Sequence, residues 1–185
     1  MNELQRCAWV GSDPLMIRYH DEEWGVPLHD DAKLFEFQVL DAFQAGLSWP
    51  CILHKRENLR RAFADFDPLR IALFDQAKVA ELLLYAGIIR NQSKINATIS
   101  NARLFLEVQK EYGSFDAFIW QFTGGKTLQP KRMSENEIPA TSAESDAMSS
   151  ALKKLGFKFV GSTICYAFMQ AAGMVNDHLV DCFRH

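Results

Sequence analysis

The chain has 185 residues, 48% of them hydrophobic, and a formal net charge of -3. That is enough apolar material for one domain with a real core, and the acidic balance excludes nucleic-acid binding driven by bulk charge while leaving a local patch open. No stretch reaches the roughly 18 to 20 uninterrupted apolar residues of a membrane span.

Helix signals recur along the chain and strand signals do not. No helix is assigned to the first thirty residues. Asp30 or Asp31 caps a helix reaching about Ala45, with Leu34, Phe37, Asp41 and Gln44 on one face. Pro50 opens the next, turning Ile52, Leu53, Leu59 and Phe63 inward. Asp67-Pro68 starts a short helix, and Asp75 starts another that Gly87 stops. Residues 92–111 place Ile95, Ile99, Ala102 and Leu106 at helical intervals before Gly113. Ser114 caps the run Phe115 to Phe122, Thr141 and Glu144 form a capping box for a helix ending near Leu155, and a last clear helix runs from Ser162 to about Ala172. Residues 124–140, with two glycines and two prolines, receive no regular structure. The expectation is an all-α fold of about eight helices, a single domain over residues 1–185.

The N-terminal M-N-E-L-Q-R-C lacks the basic and apolar regions of a secretory signal. Cys7, Cys51, Cys165 and Cys182 therefore point to a reducing cytoplasm, not to disulfides. Cys7 and His20 lie near one end of the chain, and His178 and Cys182, four apart, near the other. Two sulfurs and two imidazoles are the donor set that zinc takes in closed tetrahedral sites. On a helix the second pair would share a face. A metal there would clasp the N-terminal segment to the last helix. Spacing alone leaves ordinary buried thiols and histidines as the alternative.

The segment A-L-K-K-L-G-F-K-F-V-G-S-T-I-C-Y-A-F joins two amphipathic helices through a turn bounded by Gly156 and Gly161. Gly161 leaves the first amides of the second helix clear for a phosphate oxygen. Lys153, Lys154 and Lys158 lie nearby. This reads as a helix-hairpin-helix over residues 143–172, which grips DNA backbone without reading sequence. Its DNA contacts would be Lys158, Gly161, Ser162 and Thr163. An ordinary αα-hairpin with solvated lysines is the other reading.

Trp9, Trp24 and Trp49 all fall in the first fifty residues, and Tyr19 neighbours His20. Asp41 shares the stripe of Leu34 and Phe37, so it is a paired or functional carboxylate, unless the helix is rotated enough to send it to water. After Gln44, the turn carrying Gly46 and Leu47 suits an apolar wedge between base steps, or a plain helix stop.

Together these segments resemble the 3-methyladenine DNA glycosylase I family, zinc-containing members of the helix-hairpin-helix glycosylases. The resemblance runs through C-A-W-V-G-S-D-P-L, Y-H-D-E-E-W-G-V-P, Q-A-G-L-S-W, G-I-I-R-N-Q-S-K-I and G-F-K-F-V-G-S-T-I-C-Y-A-F-M-Q to V-N-D-H-L-V-D-C. It implies a structural zinc held by Cys7, His20, His178 and Cys182. It implies excision of 3-methyladenine from alkylated double-stranded DNA, leaving an abasic site. Tyr19 and Trp49 would stack on the cationic base, Trp9, Trp24 and Gln44 would line its pocket, and Gly46 and Leu47 would fill the gap left in the duplex. Asp41 would be the catalytic carboxylate, although the family usually carries glutamate there. Ser162-Thr163 stands where bifunctional relatives carry a Schiff-base lysine, which implies a monofunctional enzyme without lyase activity. Asp177 is a lesser candidate for positioning water. A monomer without nucleotide cofactor is expected. The rival readings are a related glycosylase for another modified base and a DNA-binding module with impaired catalysis.

Overall fold

The computed structural model describes residues 4–185, and among these the regular structure is almost wholly helical. Its α-helices are α1 (Pro14–Glu22), α2 (Asp31–Gln44), α3 (Trp49–Leu53), α4 (Arg56–Ala62), α5 (Pro68–Ile71), α6 (Gln76–Leu84), α7 (Gln92–Tyr112), α8 (Phe115–Trp120), α9 (Ala143–Leu155) and α10 (Ser162–Ala171). None of the described helices is long and apolar enough to cross a membrane.

Most helix starts follow from side-chain caps. Asp30 accepts the Lys33 amide, Asp67 that of Leu69, Asp75 that of Lys78, Asn91 that of Lys94, and Ser114 that of Ala117. Each satisfies an amide that lacks an intrahelical partner, contributing about 1 kcal/mol.

The centre of the molecule is α2. Every residue from Leu34 to Phe43 is buried, because α3, α7, α8 and α10 pack around it. A helix enclosed on all sides has no solvent face to offer a carboxylate. Asp41 is therefore buried whatever the rotation of the helix, and the alternative of a water-facing side chain is removed. Glu36, also buried, is paired: Lys33, Arg56 and Arg60 all reach it, Arg56 at 2.8 Å. No cation among the described residues pairs with Asp41.

Several sequence expectations shift. Helix α1 lies in a stretch for which the sequence predicts no helix, although Asp13 caps it through the Leu15 amide and Pro14 occupies its first turn. The helix opened at Pro50 breaks at His54 and Lys55 into α3 and α4. The helix from Asp75 stops at Leu84, before Gly87, because Tyr85 turns extended and its hydroxyl reaches Asn58 at 3.0 Å. After Trp120 the chain tightens into a 3-10 turn over Gln121–Thr123. The capping box is Ser142 with Ser145, not Thr141 with Glu144.

The largest correction concerns the C-terminus. His178 and Cys182 do not lie on a helix: α10 ends at Ala171, and Cys182 closes a turn onto Leu179. The chain turns at Gly173, where φ is +66 and a Cβ would collide with the Val26 backbone. Beyond it the backbone is satisfied by the segment assigned no structure. Leu128 donates to Met174 and Asn176 to Leu128, both at 2.9 Å, and Val180 donates to Arg132 at 3.0 Å. These belong to isolated parallel bridges, Leu128 to Val175 and Arg132 to Leu179. Residues 124–140 are thus a strap that fixes the C-terminal segment by main-chain pairing.

Candidate functional site

A cavity of about 240 Å³ opens between α1, α2, α3 and α10, and Trp9, Tyr19, Trp24, Asp41, Gln44 and Trp49 all line it. These are the six pocket residues expected from sequence. The volume lies below the roughly 300–1,000 Å³ of drug-sized sites, which suits one heterocycle. Two aromatic pairs form its walls. Tyr19 and Trp49 have ring centroids 4.9 Å apart with planes tilted by 47°, and Trp9 and Trp24 meet edge to face at 4.9 Å.

Asp41 and Trp49, which line this cavity, each carry a buried polar atom without a protein partner, Oδ2 and Nε1. One can only accept a hydrogen bond when ionised, and the other can only donate. Asp41 is 2% exposed, and burial alone pushes its carboxyl well above the ordinary value. Burial also pushes the Tyr19 hydroxyl well up, with Asp41 adding to it. A neutral phenol beside an unpaired carboxylate attracts positive charge and gives it no anionic competitor on the ring.

At the end of α2 the chain turns through Gly46 and presents Leu47, 40% exposed, beside the cavity residues Gln44 and Trp49. This turn is stapled from beneath. Lys94, 6% exposed as a residue, donates from its ammonium to the Phe43 and Ala45 carbonyls at 2.6 and 2.7 Å. It neutralises the negative end of the α2 dipole.

Tyr19 and His20 are consecutive on α1, so one turns toward the cavity and the other toward the N-terminal strand of chain. The donor atoms of Cys7, His20 and Cys182 lie within 4.8 Å of one another, all buried, with Cys182 Sγ 3.4 Å from His20 Nε2. These three are placed to hold a metal ion. His178 adds its ring 4.7 Å from that of His20, and its Nε2 is buried without a partner. Both imidazoles are oriented by their other nitrogen: His20 Nδ1 lies 2.8 Å from Asp21 Oδ1, and His178 Nδ1 lies 2.6 Å from Asn176 Oδ1. Such partners fix the orientation and tautomer of each ring. Burial, with Cys182 nearby, pushes the Cys7 thiol up to about 12, so it needs a cation to ionise. Burial, with His20 nearby, pulls His178 down to about 4 and leaves it neutral. A Cβ at Gly25 would come within 2.9 Å of the His178 ring. Trp24 stacks edge to face on His178 at 4.6 Å and Trp9 on His20 at 5.4 Å, so clasp and cavity share a wall.

The hairpin joins α9 to α10. Gly156 ends α9 with φ of +100, and its amide bonds to Leu152 and Lys153. Gly161 caps α10, and nothing lies within 4 Å of where its Cβ would be. Lys153, Lys154, Lys158 and Thr163 are exposed. Asn101 on α7 brackets the turn, donating to the Lys158 carbonyl and accepting its amide, each at 2.9 Å. The Ser162 hydroxyl donates to Asp146 Oδ1 at 2.5 Å and meets the Ser145 hydroxyl at 2.8 Å. Asp177 is fully buried and bonded to Tyr166, Gln170 and Arg132 at 2.6, 2.9 and 3.2 Å. It does not line the cavity.

The sequence model of a family described as methyladenine glycosylase matches residues 9–185. This chain belongs to that family. It is 50% identical over 179 residues to DNA-3-methyladenine glycosylase 1 of Escherichia coli strain K12, covering 97% of this chain and 96% of the relative. A crystal structure of 3-methyladenine DNA glycosylase I superimposes with a TM-score of 0.96 at 53% identity, over 98% of this chain and all of that one. A variant of 3-methyladenine DNA glycosylase I in complex with 3-methyladenine superimposes with a TM-score of 0.94 at 33% identity, covering 97% and 96% of the two chains.

Within this methyladenine glycosylase, sequence reasoning missed Met16, Ile138, Ala167 and Gln170, which complete the cavity lining. Met16 sits one turn before Tyr19 on the unassigned α1, where the Asp13-Pro14 signal was available. Ile138 comes from the strap, and only tertiary pairing brings it there. Lys94 lies inside the recognised stretch G-I-I-R-N-Q-S-K-I, yet nothing local marks it as a buried staple.

Proposed function

We propose that this chain is a monofunctional DNA glycosylase that releases 3-methyladenine from alkylated double-stranded DNA. The observation that carries the reading is the convergence of Trp9, Tyr19, Trp24, Gln44 and Trp49 on one cavity with the buried Asp41 carboxylate. The lesion extruded from the duplex carries a positive charge, so it leaves without prior protonation. The rings of Tyr19 and Trp49 favour a cation through their π faces. The Asp41 carboxylate accepts from the base and stabilises its charge, and uncharged adenine forgoes that charge stabilisation. Water bonds to C1′ of the deoxyribose, and the C1′–N bond breaks with its electron pair going to the base. The base leaves neutral, the water's proton passes to solvent, and an abasic site remains. No lysine lines the cavity and the Lys94 amine is committed to carbonyls, which supports hydrolysis without a Schiff base.

Gly46 and Leu47 would occupy the gap in the duplex, and Lys158, Gly161, Ser162 and Thr163 would hold backbone phosphates in a helix-hairpin-helix over residues 143–172. The whole chain, residues 1–185, would act as one domain, as a cytoplasmic monomer. Zinc on Cys7, His20, His178 and Cys182 would tie the two chain ends together and leave no position for a reacting water. The orphaned Nε2 of His178 supports the fourth ligand. Incubation with methylated genomic DNA and chromatography of the released bases tests the reading. Release of 3-methyladenine is the expected result; release of nothing by folded, zinc-loaded protein would leave a DNA-binding module, and release of a different base a related glycosylase.

A further inference from the structure

Three buried polar atoms on α2 have no protein partner: both ends of the Gln38 amide, and Asp41 Oδ2. Gln38 is 6% exposed. Gln38 and Asp41 are three residues apart and so share a helix face. Both line a second cavity of about 20 Å³, otherwise walled mainly by apolar groups such as Phe115, Met148, Leu152 and Phe168. That space accommodates one water, and a buried water requires two or more polar partners. Gln38 and Asp41 supply the unpartnered polar atoms, and the Cys165 thiol in the same lining is already bonded to the Val160 carbonyl.

We propose that Gln38 is a positioning residue for Asp41, its amide holding the inner carboxylate oxygen through one water bound in the small cavity. The Gln38 Nε2–H donates to the water, and the water donates to Oδ2. This leaves the other carboxylate oxygen to face the base cavity. Gln38 does not line that cavity, so its influence passes through Asp41. The inference rests on the reading of Asp41 as the group that receives the base.

The groups around Asp41 make the effect separable. Tyr19 on α1 and Cys165 on α10 couple to it, and burial pushes the first well up and the second to about 12. Both are neutral near neutral pH. On α2 itself Glu36 is buried, and Arg56 and Lys33 hold it below the ordinary value against that burial. Lys94 on α7 is committed to the Phe43 and Ala45 carbonyls, and α3 and α8 contribute Trp49 and Phe115. Asp41 is the group whose charge can change.

The experiment follows the Asp41 carboxyl by ¹³C NMR in the metal-loaded protein, assigned with Asp41→Asn, and measures 3-methyladenine release against pH. Removing a donor from an ionised carboxylate raises its midpoint. Gln38→Met, which keeps the length and removes both polar atoms, should move the Asp41 midpoint up by about one pH unit. The acid limb of base release should move with it, and in the Asp41→Asn background Gln38→Met should have no further effect. An unmoved midpoint in folded Gln38→Met overturns the proposal, and so does an equal loss in both backgrounds. Gln38→Leu repeats the measurement should the Met variant not fold. A midpoint that moves in a protein releasing no 3-methyladenine supports the positioning role and removes the functional reading instead.

Discussion

Replacing Asp41 by asparagine should make the protein more stable and less able to hold its ligand. The carboxylate is 2% exposed and one of its oxygens has no protein partner. Its folded value is raised by burial. An aspartate of this kind favours the native state while protonated; that contribution is present below the ordinary carboxylate range and is lost as pH rises through the folded value. Above that value the folded protein carries an unpaired charge. Asparagine keeps the shape and removes the charge, relieving about 1–3 kcal/mol of the cost of burying it. For a chain of this size that corresponds to a rise in Tm of roughly 2–12 °C. Binding moves the other way. A hydrogen bond to a charged acceptor is worth about 1.5–3 kcal/mol, so affinity for free 3-methyladenine should fall roughly 10- to 150-fold. Calorimetric melts from pH 5 to 9, with tryptophan-fluorescence titrations of the free base, measure both. The gap in Tm between variant and wild type should widen as pH rises. A lower Tm for Asp41→Asn, or an unchanged Kd, would refute the reasoning, because each contradicts a buried carboxylate kept for its ligand.

Cys182→Ser should lower the zinc content found by elemental analysis and lower Tm, with a smaller change in free-base affinity, since Cys182 does not line the cavity; unchanged zinc stoichiometry would remove the proposed ligation. Trp49→Ala should weaken 3-methyladenine binding by roughly 5- to 150-fold, the worth of one aromatic–base stack at about 1–3 kcal/mol. Normal affinity in a calorimetric titration would show that the indole does not stack. Leu47→Ala should leave stability within about 0.5 kcal/mol, as for an exposed side chain, yet slow excision from duplex DNA more than from single strands. Equal rates on the two substrates would show that Leu47 fills no gap.

Local chemistry determined a good part of this molecule. The caps at Asp30, Asp67, Asp75, Asn91 and Ser114 place helices because each side chain meets an amide two or three residues away, within reach of any chain that carries the residue there. Glycine at 156 ends α9 for the same local reason. The stripe that marked Asp41 and the cluster of early aromatics were likewise written in spacing. Tertiary structure decided the remainder. The sequence pair His178 and Cys182 suggests a helix, but strap residues 124–140 claim the backbone of that segment, and no spacing rule reports a partner so far along the chain. Whether Asp41 is buried depended on α3, α7, α8 and α10 enclosing α2 together. Lys94 became a staple only because α7 passes beneath the end of α2. Periodicity and caps act over one or two turns and can be read in order; a cavity, a clasp or a desolvated charge exists only when distant segments close around it.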